Sequence, residues 1–127
     1  MTQDLSLHTH ATATGTVIEL AGDLDYHTAP EVRAALPGLD LRPGQQLVLD
    51  LAGITFCDSS GITVLIAARN HALAADSAIA LAAVPDHVGR IFRMVGLDQV
   101  FPIHSTTQAA EASWSPHQAD PTRPHNP

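Results

Sequence analysis

Gln46-Leu47-Val48-Leu49-Asp50-Leu51, followed after a short interval by Ser59-Ser60-Gly61-Ile62-Thr63-Val64-Leu65-Ile66-Ala67-Ala68, decides the fold. The first run is nearly all apolar, so it reads as a central strand covered on both faces. In the second, Ile62, Leu65, Ile66 and Arg69 fall at i, i+3, i+4 and i+7, with Ala68 and Ala72 beside them. That spacing predicts an amphipathic helix over 59–74 with its arginine at the edge. A buried strand, a loop and a helix in succession form the repeating unit of an α/β sheet.

Working outward toward the N-terminus, residues 5–13 alternate weakly and read as a strand with one half-exposed face. Gly15 is a turn, and Thr16 to Ala21 reads as a second strand, which makes a hairpin. Gly22, Asp23 and Asp25 break the pattern and begin a loop. Thr28-Ala29-Pro30-Glu31 opens a helix, with Thr28 as cap, Pro30 in the first turn and Glu31 spaced as in a capping box. Val32, Leu36 and Ala35 are its inward candidates, and Pro37-Gly38 ends it.

Toward the C-terminus, Ser77 to Ala82 reads as a further strand. Pro85-Asp86 starts a helix carrying Val88, Ile91, Phe92 and Val95 at helical spacing, and Gly96 closes it. Val100 to Ile103 is a short strand whose proline suits a sheet edge, and Ser105 to about Ala112 is a last helix. The order β-β-α-β-α-β-α-β-α predicts a single α/β domain over 1–112, a mixed sheet flanked by helices. Residues 113–127 hold four prolines and little apolar content, so a disordered tail is expected there.

Composition excludes several functions. A net charge of −7 with no lysine leaves no basic stripe for nucleic-acid phosphates. The missing lysine also removes a Walker-type phosphate loop and any Schiff base. One cysteine, Cys57, cannot form an internal disulfide. The longest apolar stretch, Ile62 to Ala68, is far short of the ~20 residues that span a bilayer. No signal-peptide pattern opens the chain, so a cytosolic protein without membrane insertion is the expectation.

Asp58-Ser59-Ser60-Gly61 sits where the loop after the buried strand enters the helix, the end of a sheet where α/β folds place ligand and partner sites. The plain structural reading is a helix cap, because Asp and Ser dominate that position. The functional reading is a phosphorylation site. Free N–H groups and the positive end of the helix dipole tolerate a phosphate, so its effect would fall on a docking partner. Gly61 lacks a side chain, which would let a partner approach closely.

Three segments carry a family resemblance. Leu49 through Ile62, ending Cys57-Asp58-Ser59-Ser60-Gly61-Ile62, resembles the signature segment of anti-sigma factor antagonists, the STAS domain family. Gly22-Asp23-Leu24-Asp25 and the stretch Arg90 to Leu97 resemble two others, in the same order. The resemblance implies a mixed sheet flanked by helices and Ser59 as phosphoacceptor. It implies as partners an anti-sigma factor with serine kinase activity, which binds the unphosphorylated form, and a serine phosphatase that resets it. Asp25 and Asp58 match acidic positions near the acceptor, so Asp25, Asp58, Ser59, Ser60 and Gly61 are the expected partner-binding set. The chain would be no enzyme, hold no cofactor and no metal, and regulate sigma-factor-dependent transcription indirectly. A weak homodimer stays open.

Other residues read more plainly. Asp50 shapes the site loop or simply emerges at a strand end. Asp23 and Asp25 flank Ser59 or serve the turn. Cys57 has no positive neighbour to activate it and reads as a small packed side chain. The eight histidines are scattered; His8 and His10 share a strand face but lack a third ligand. His27 adjoins the Asp25 loop, and Trp114 stands alone near the tail. Two rival functions remain at this level. One is a STAS subunit docked permanently in a lipid-type ABC transporter. The other is a hydrolase using Ser59 or Cys57, for which no base is in view.

Overall fold

A computed structural model describes residues 5–114. Strand β1 (Ser6–Thr12) pairs antiparallel with β2 (Gly15–Leu24), turning through Ala13-Thr14. Helix α1 (Ala29–Ala35) and a 3-10 turn (Leu36–Gly38) lead to β3 (Gln46–Cys57). Helix α2 (Ser59–Ala74), β4 (Ala78–Ala82), α3 (Asp86–Met94), a second 3-10 turn (Leu97–Gln99), β5 (Ile103–His104) and α4 (Thr107–Ser113) follow. The sheet runs β1-β2-β3-β4-β5, with β2 to β5 parallel. This is the expected mixed α/β sheet and element order.

The strand period of two sorts side chains between the faces. Ile18, Leu20, Leu47, Leu49 and Leu51 meet Val32, Val64, Leu65, Val88 and Phe92, so α1, α2 and α3 cover one face. Val17, Val48, Ala80 and Ala82 form the smaller second layer under Ala110 of α4. Both faces of the middle of β3 are therefore dry, which is why Leu47-Val48-Leu49 reads as a continuous apolar run. Burying a side chain such as Phe92, fully enclosed in the larger layer, contributes about 1.5–3 kcal/mol.

Several expectations need correction. β2 does not stop at Ala21 but runs to Leu24, through register shifts against β3 between Glu19 and Ala21 and between Gly22 and Asp23. Bulges let a strand absorb the small and polar residues that look like a loop. β3 likewise continues to Cys57, leaving Asp58 as the single residue before α2. The inward stripe of α2 is Gly61, Val64, Leu65, Ala68 and Ala72, while Ile66 is exposed. In α3, Val88 and Phe92 are buried but Val95 is exposed. Gly96 follows with φ +79, the left-handed close expected of it. β5 is shorter than expected, and α4 extends through Ser113. Apart from Ser113 and Trp114, the expected disordered tail lies outside the described residues.

The capping box at Thr28 does not form. Thr28 has no side-chain bond into α1. Its hydroxyl donates to the Asp23 carbonyl at 2.7 Å and accepts from the Asp25 N–H at 3.0 Å. Asp25 does the capping instead: its Oδ1 accepts from the N–H groups of His27 and Thr28, and its carbonyl accepts from those of Thr28 and Ala29.

Candidate functional site

The site is built where β2, β3 and the first turn of α2 converge. Asp58 is the N-cap of α2, extended at φ −105 and ψ −170, and its Oδ1 accepts from the Gly61 N–H at 3.0 Å. Its Oδ2 accepts from the Tyr26 N–H at 3.3 Å, and its own N–H donates to the Leu24 carbonyl. One carboxylate thus joins the helix start to the loop that follows β2. Asp25, one residue before Tyr26, spends its carboxylate on that loop's own N–H groups.

Ser59 is exposed and Ser60 half-buried, both in the first turn of α2. Neither hydroxyl makes a hydrogen bond among the described residues; the Ser59 carbonyl accepts from Thr63 Oγ1 at 2.9 Å. The first turn of a helix leaves N–H groups without intrahelical partners. Here Asp58 satisfies that of Gly61.

Gly61 departs from expectation. It is buried, not open to a visitor. A Cβ there would strike the Leu24 carbonyl oxygen and lie 2.8 Å from Cys57 Sγ and 2.9 Å from Leu24 Cγ. The glycine lets α2 pack onto the end of β2; it shapes the site from beneath.

Cys57 is buried under the helix start, and burial, helped by the Asp58 charge, pushes its thiol up to about 12. At neutral pH it is a thiol and not a nucleophile. Asp50 is half-exposed, and its Oδ1 accepts from the Ala52 N–H, a bond within its own strand. Asp23 accepts from Thr55 Oγ1 at 2.7 Å, tying the ends of β2 and β3 together.

Three neighbours escaped the sequence reading. Tyr26 and Phe56 are 74% and 50% exposed, far more than large aromatics usually are; Tyr26 stands on the loop after β2 and Phe56 at the penultimate position of β3, three positions before Ser59. Strand alternation could have found Phe56, since Cys57 points inward and its neighbour must point out. His87, in the first turn of α3, lies 3.0 Å through Nε2 from the Thr55 carbonyl; only the folded chain brings them together. The His27 ring stacks edge-on against Tyr26 at 5.8 Å. No three His, Cys, Asp or Glu side chains among the described residues gather as a metal-ligating set. No helix among them is long and apolar enough to cross a membrane.

The chain is similar to several known proteins. An anti-sigma-B factor antagonist of Listeria monocytogenes is 31% identical over 86 residues, 68% of this chain and 75% of that protein. A crystal structure of an anti-sigma factor antagonist from Mycobacterium paratuberculosis superposes with a TM-score of 0.70 at 24% identity, over 86% of this chain and 93% of that one. The Bacillus cell-fate determinant SpoIIAA in its phosphorylated form superposes with a TM-score of 0.58 at 18% identity, over 84% and 98%. The family model described as "Mlab, STAS domain" matches residues 7–103, from within β1 to the first residue of β5. Because that match takes in every strand and the Asp58-Ser59 junction, the chain belongs to the STAS domain family.

Proposed function

We propose that this protein is an anti-sigma factor antagonist, controlled by phosphorylation of Ser59. Unphosphorylated, it binds an anti-sigma factor that has serine kinase activity, and a sigma factor is freed. Once Ser59 carries a phosphate the complex separates, and a serine phosphatase restores the first state. The protein is a substrate and a binding partner, not itself an enzyme, and acts on transcription only through those contacts, in the cytoplasm of a bacterial cell.

One observation carries the reading: Ser59 presents a free hydroxyl at the start of a long helix, in a turn already pinned by Asp58. A kinase can reach that hydroxyl without unfolding the domain. The phosphate would add about −1.5 to −2 charges at the positive end of the helix dipole, where the fold tolerates them. It would also stand next to Asp58, whose carboxylate holds the Tyr26 N–H, and three positions along the chain from the exposed Phe56. An interface fitted to a neutral hydroxyl there meets a desolvated dianion, which costs several kcal/mol and ejects the partner. Asp25, Asp58, Ser59 and Ser60 remain the proposed contact set, with Gly61 supporting them from below. The Listeria relative and the phosphorylated Bacillus structure support this reading by likeness.

The test is intact mass and site mapping after incubation with the cognate kinase and ATP. Phosphate on Ser59, lost in Ser59→Ala, with Ser59→Ala retaining the kinase and Ser59→Asp failing to bind it, is the expected result. Incorporation that persists in Ser59→Ala moves the acceptor to Ser60. No incorporation, together with stable co-purification of an ABC-type ATPase, replaces the reading with a permanent transporter subunit.

A further inference from the structure

The two edges of the sheet differ. β5 forms one edge with only two residues, directly after Pro102, and both features discourage pairing with another chain. β1 forms the other edge with seven residues, Ser6-Leu7-His8-Thr9-His10-Ala11-Thr12. Its register with β2 runs unbroken from Ser6 opposite Ala21 to Thr12 opposite Gly15. It holds no proline and no lysine, arginine, aspartate or glutamate. Five of the seven residues are exposed, and among the described residues no strand pairs with the outer side of β1. A long, regular and uncharged edge offers a row of backbone N–H and C=O groups to a further strand.

The order of residues in β1 selects the strand that fits. It is close to a palindrome about Thr9: Ser6 matches Thr12, Leu7 matches Ala11 and His8 matches His10. Antiparallel pairing with a second copy, on a two-fold axis at Thr9, sets hydroxyl against hydroxyl, apolar against apolar and imidazole against imidazole. Thr9 then meets its own counterpart, a cross-strand pair that sheets favour. Facing residues lie equally far on either side of Thr9, so the two members of each pair have the same parity. Outward backbone groups therefore meet outward backbone groups, and every side chain keeps its face of the sheet. About six to eight hydrogen bonds follow over the seven residues.

Charge is matched as well. A chain of net charge −7 repels its copy at long range, so a join needs a strip that adds no repulsion. β1 is such a strip, and Glu19 stands behind it, opposite His8 in the register and with its carboxylate 3.6 Å from His10 Nδ1. Two copies joined at β1 bring four imidazoles together, flanked on each side by one carboxylate. A neutral imidazole donates through one ring nitrogen and accepts through the other, so the row can hydrogen-bond across the join.

We propose that two copies of this protein pair antiparallel through β1, centred on Thr9, into one continuous ten-stranded sheet. The contact is isologous and closes on itself, so the free edge is used up in both copies and no filament grows. The pairing does not depend on what happens at Ser59.

Sedimentation equilibrium of the full chain from about 10 μM to about 1 mM tests it, a range suited to a small contact. The average mass should rise toward twice that of one chain, and amide exchange over residues 6–12 should slow with concentration. His8→Lys with His10→Lys sets lysine against lysine at both histidine pairs, and the mass should stay at that of one chain. His8→Lys with His10→Glu sets lysine against glutamate in the antiparallel register, and association should return to at least the original level. Both side chains are exposed, so thermal unfolding at the lowest concentration should show each variant folded like the unsubstituted chain. An unsubstituted chain of single mass throughout, a lysine pair that still associates, or a folded lysine–glutamate variant that does not, overturns the proposal.

Discussion

The Asp58 carboxylate holds two backbone N–H groups from opposite sides of the site, Gly61 at 3.0 Å and Tyr26, thirty-two residues away, at 3.3 Å. The first bond caps α2 and the second fastens the β2 loop to it. The two substitutions Asp58→Asn and Asp58→Ala separate them. Asparagine caps helices about as well as aspartate, but its amide nitrogen cannot accept from Tyr26. Asp58→Ala is expected to cost about 1–2 kcal/mol and Asp58→Asn less than half of that. Urea unfolding measures both. Amide exchange then assigns the loss: Tyr26 opens faster in both variants, Gly61 only in the alanine.

Gly61→Ala sets two effects against each other. Alanine gains up to about 1 kcal/mol of helix propensity over glycine. Its methyl, however, would stand against the Leu24 carbonyl and 2.8 Å from Cys57 Sγ. Backbone cannot yield as a flexible side chain does, so the strain wins and α2 is pushed off β2. A net loss of about 1–3 kcal/mol is expected in denaturant unfolding. An alanine as stable as the glycine would show that the close approach is not required. Gly38, with nothing within 4 Å of its added Cβ, is the control.

Ser59→Asp should leave the domain as stable as before, within about 0.5 kcal/mol, because the side chain is exposed and its hydroxyl is unbonded. A carboxylate in the first helical turn gains slightly from the dipole and loses slightly to Asp58. Equal thermal unfolding midpoints for Ser59, Ser59→Ala and Ser59→Asp would place any change in partner binding at the surface itself. A large destabilisation by the aspartate would mean that the phosphate acts by loosening the fold.

Much of this was legible in the sequence, and the misses have a common cause. The bounds of α2, 59–74, follow from an aspartate cap and an apolar period, both local. The ends of β2 and β3 do not. Gly22 and Asp23 look like a loop, yet they are held in the sheet by parallel pairing to Ile54 and Phe56, more than thirty positions away. Thr28 has the spacing of a capping residue, but its hydroxyl is drawn to the Asp23 carbonyl by the same tertiary packing. In the site, Asp58 and Ser59 are readable from their own neighbours. The Tyr26 link, the Thr55–His87 contact and the reason for Gly61 each need a partner that only the fold supplies.

Thr28 offers a test of that tertiary pull. Thr28→Val keeps the buried shape but removes the hydroxyl that bridges Asp23 and Asp25. Leaving a part-buried carbonyl and N–H short of a partner should cost about 1–3 kcal/mol. Thr28→Ser, which retains the hydroxyl, should recover most of it. If both variants lost the same amount, the methyl packing of Thr28 and not its hydrogen bonds would hold the loop.

Cys57 gives the fold a pH signature. Burial first, and the Asp58 charge second, raise its thiol from 9.0 to about 12, so the native state keeps the proton where the unfolded chain releases it. The sign follows from linkage. Below the unfolded value both states are protonated and stability is unaffected. As pH rises through the interval between the two values, the unfolded state is favoured by one proton, about 1.4 kcal/mol per pH unit. Urea midpoints measured from about pH 8 to about pH 11 should therefore fall more steeply for the native chain than for Cys57→Ala, which has no thiol to ionise. Parallel curves would mean that the thiol ionises alike in both states. The same burial should keep a thiol-directed reagent from Cys57 at neutral pH until urea unfolds the domain, so labelling there follows global opening and not the chemistry of Ser59.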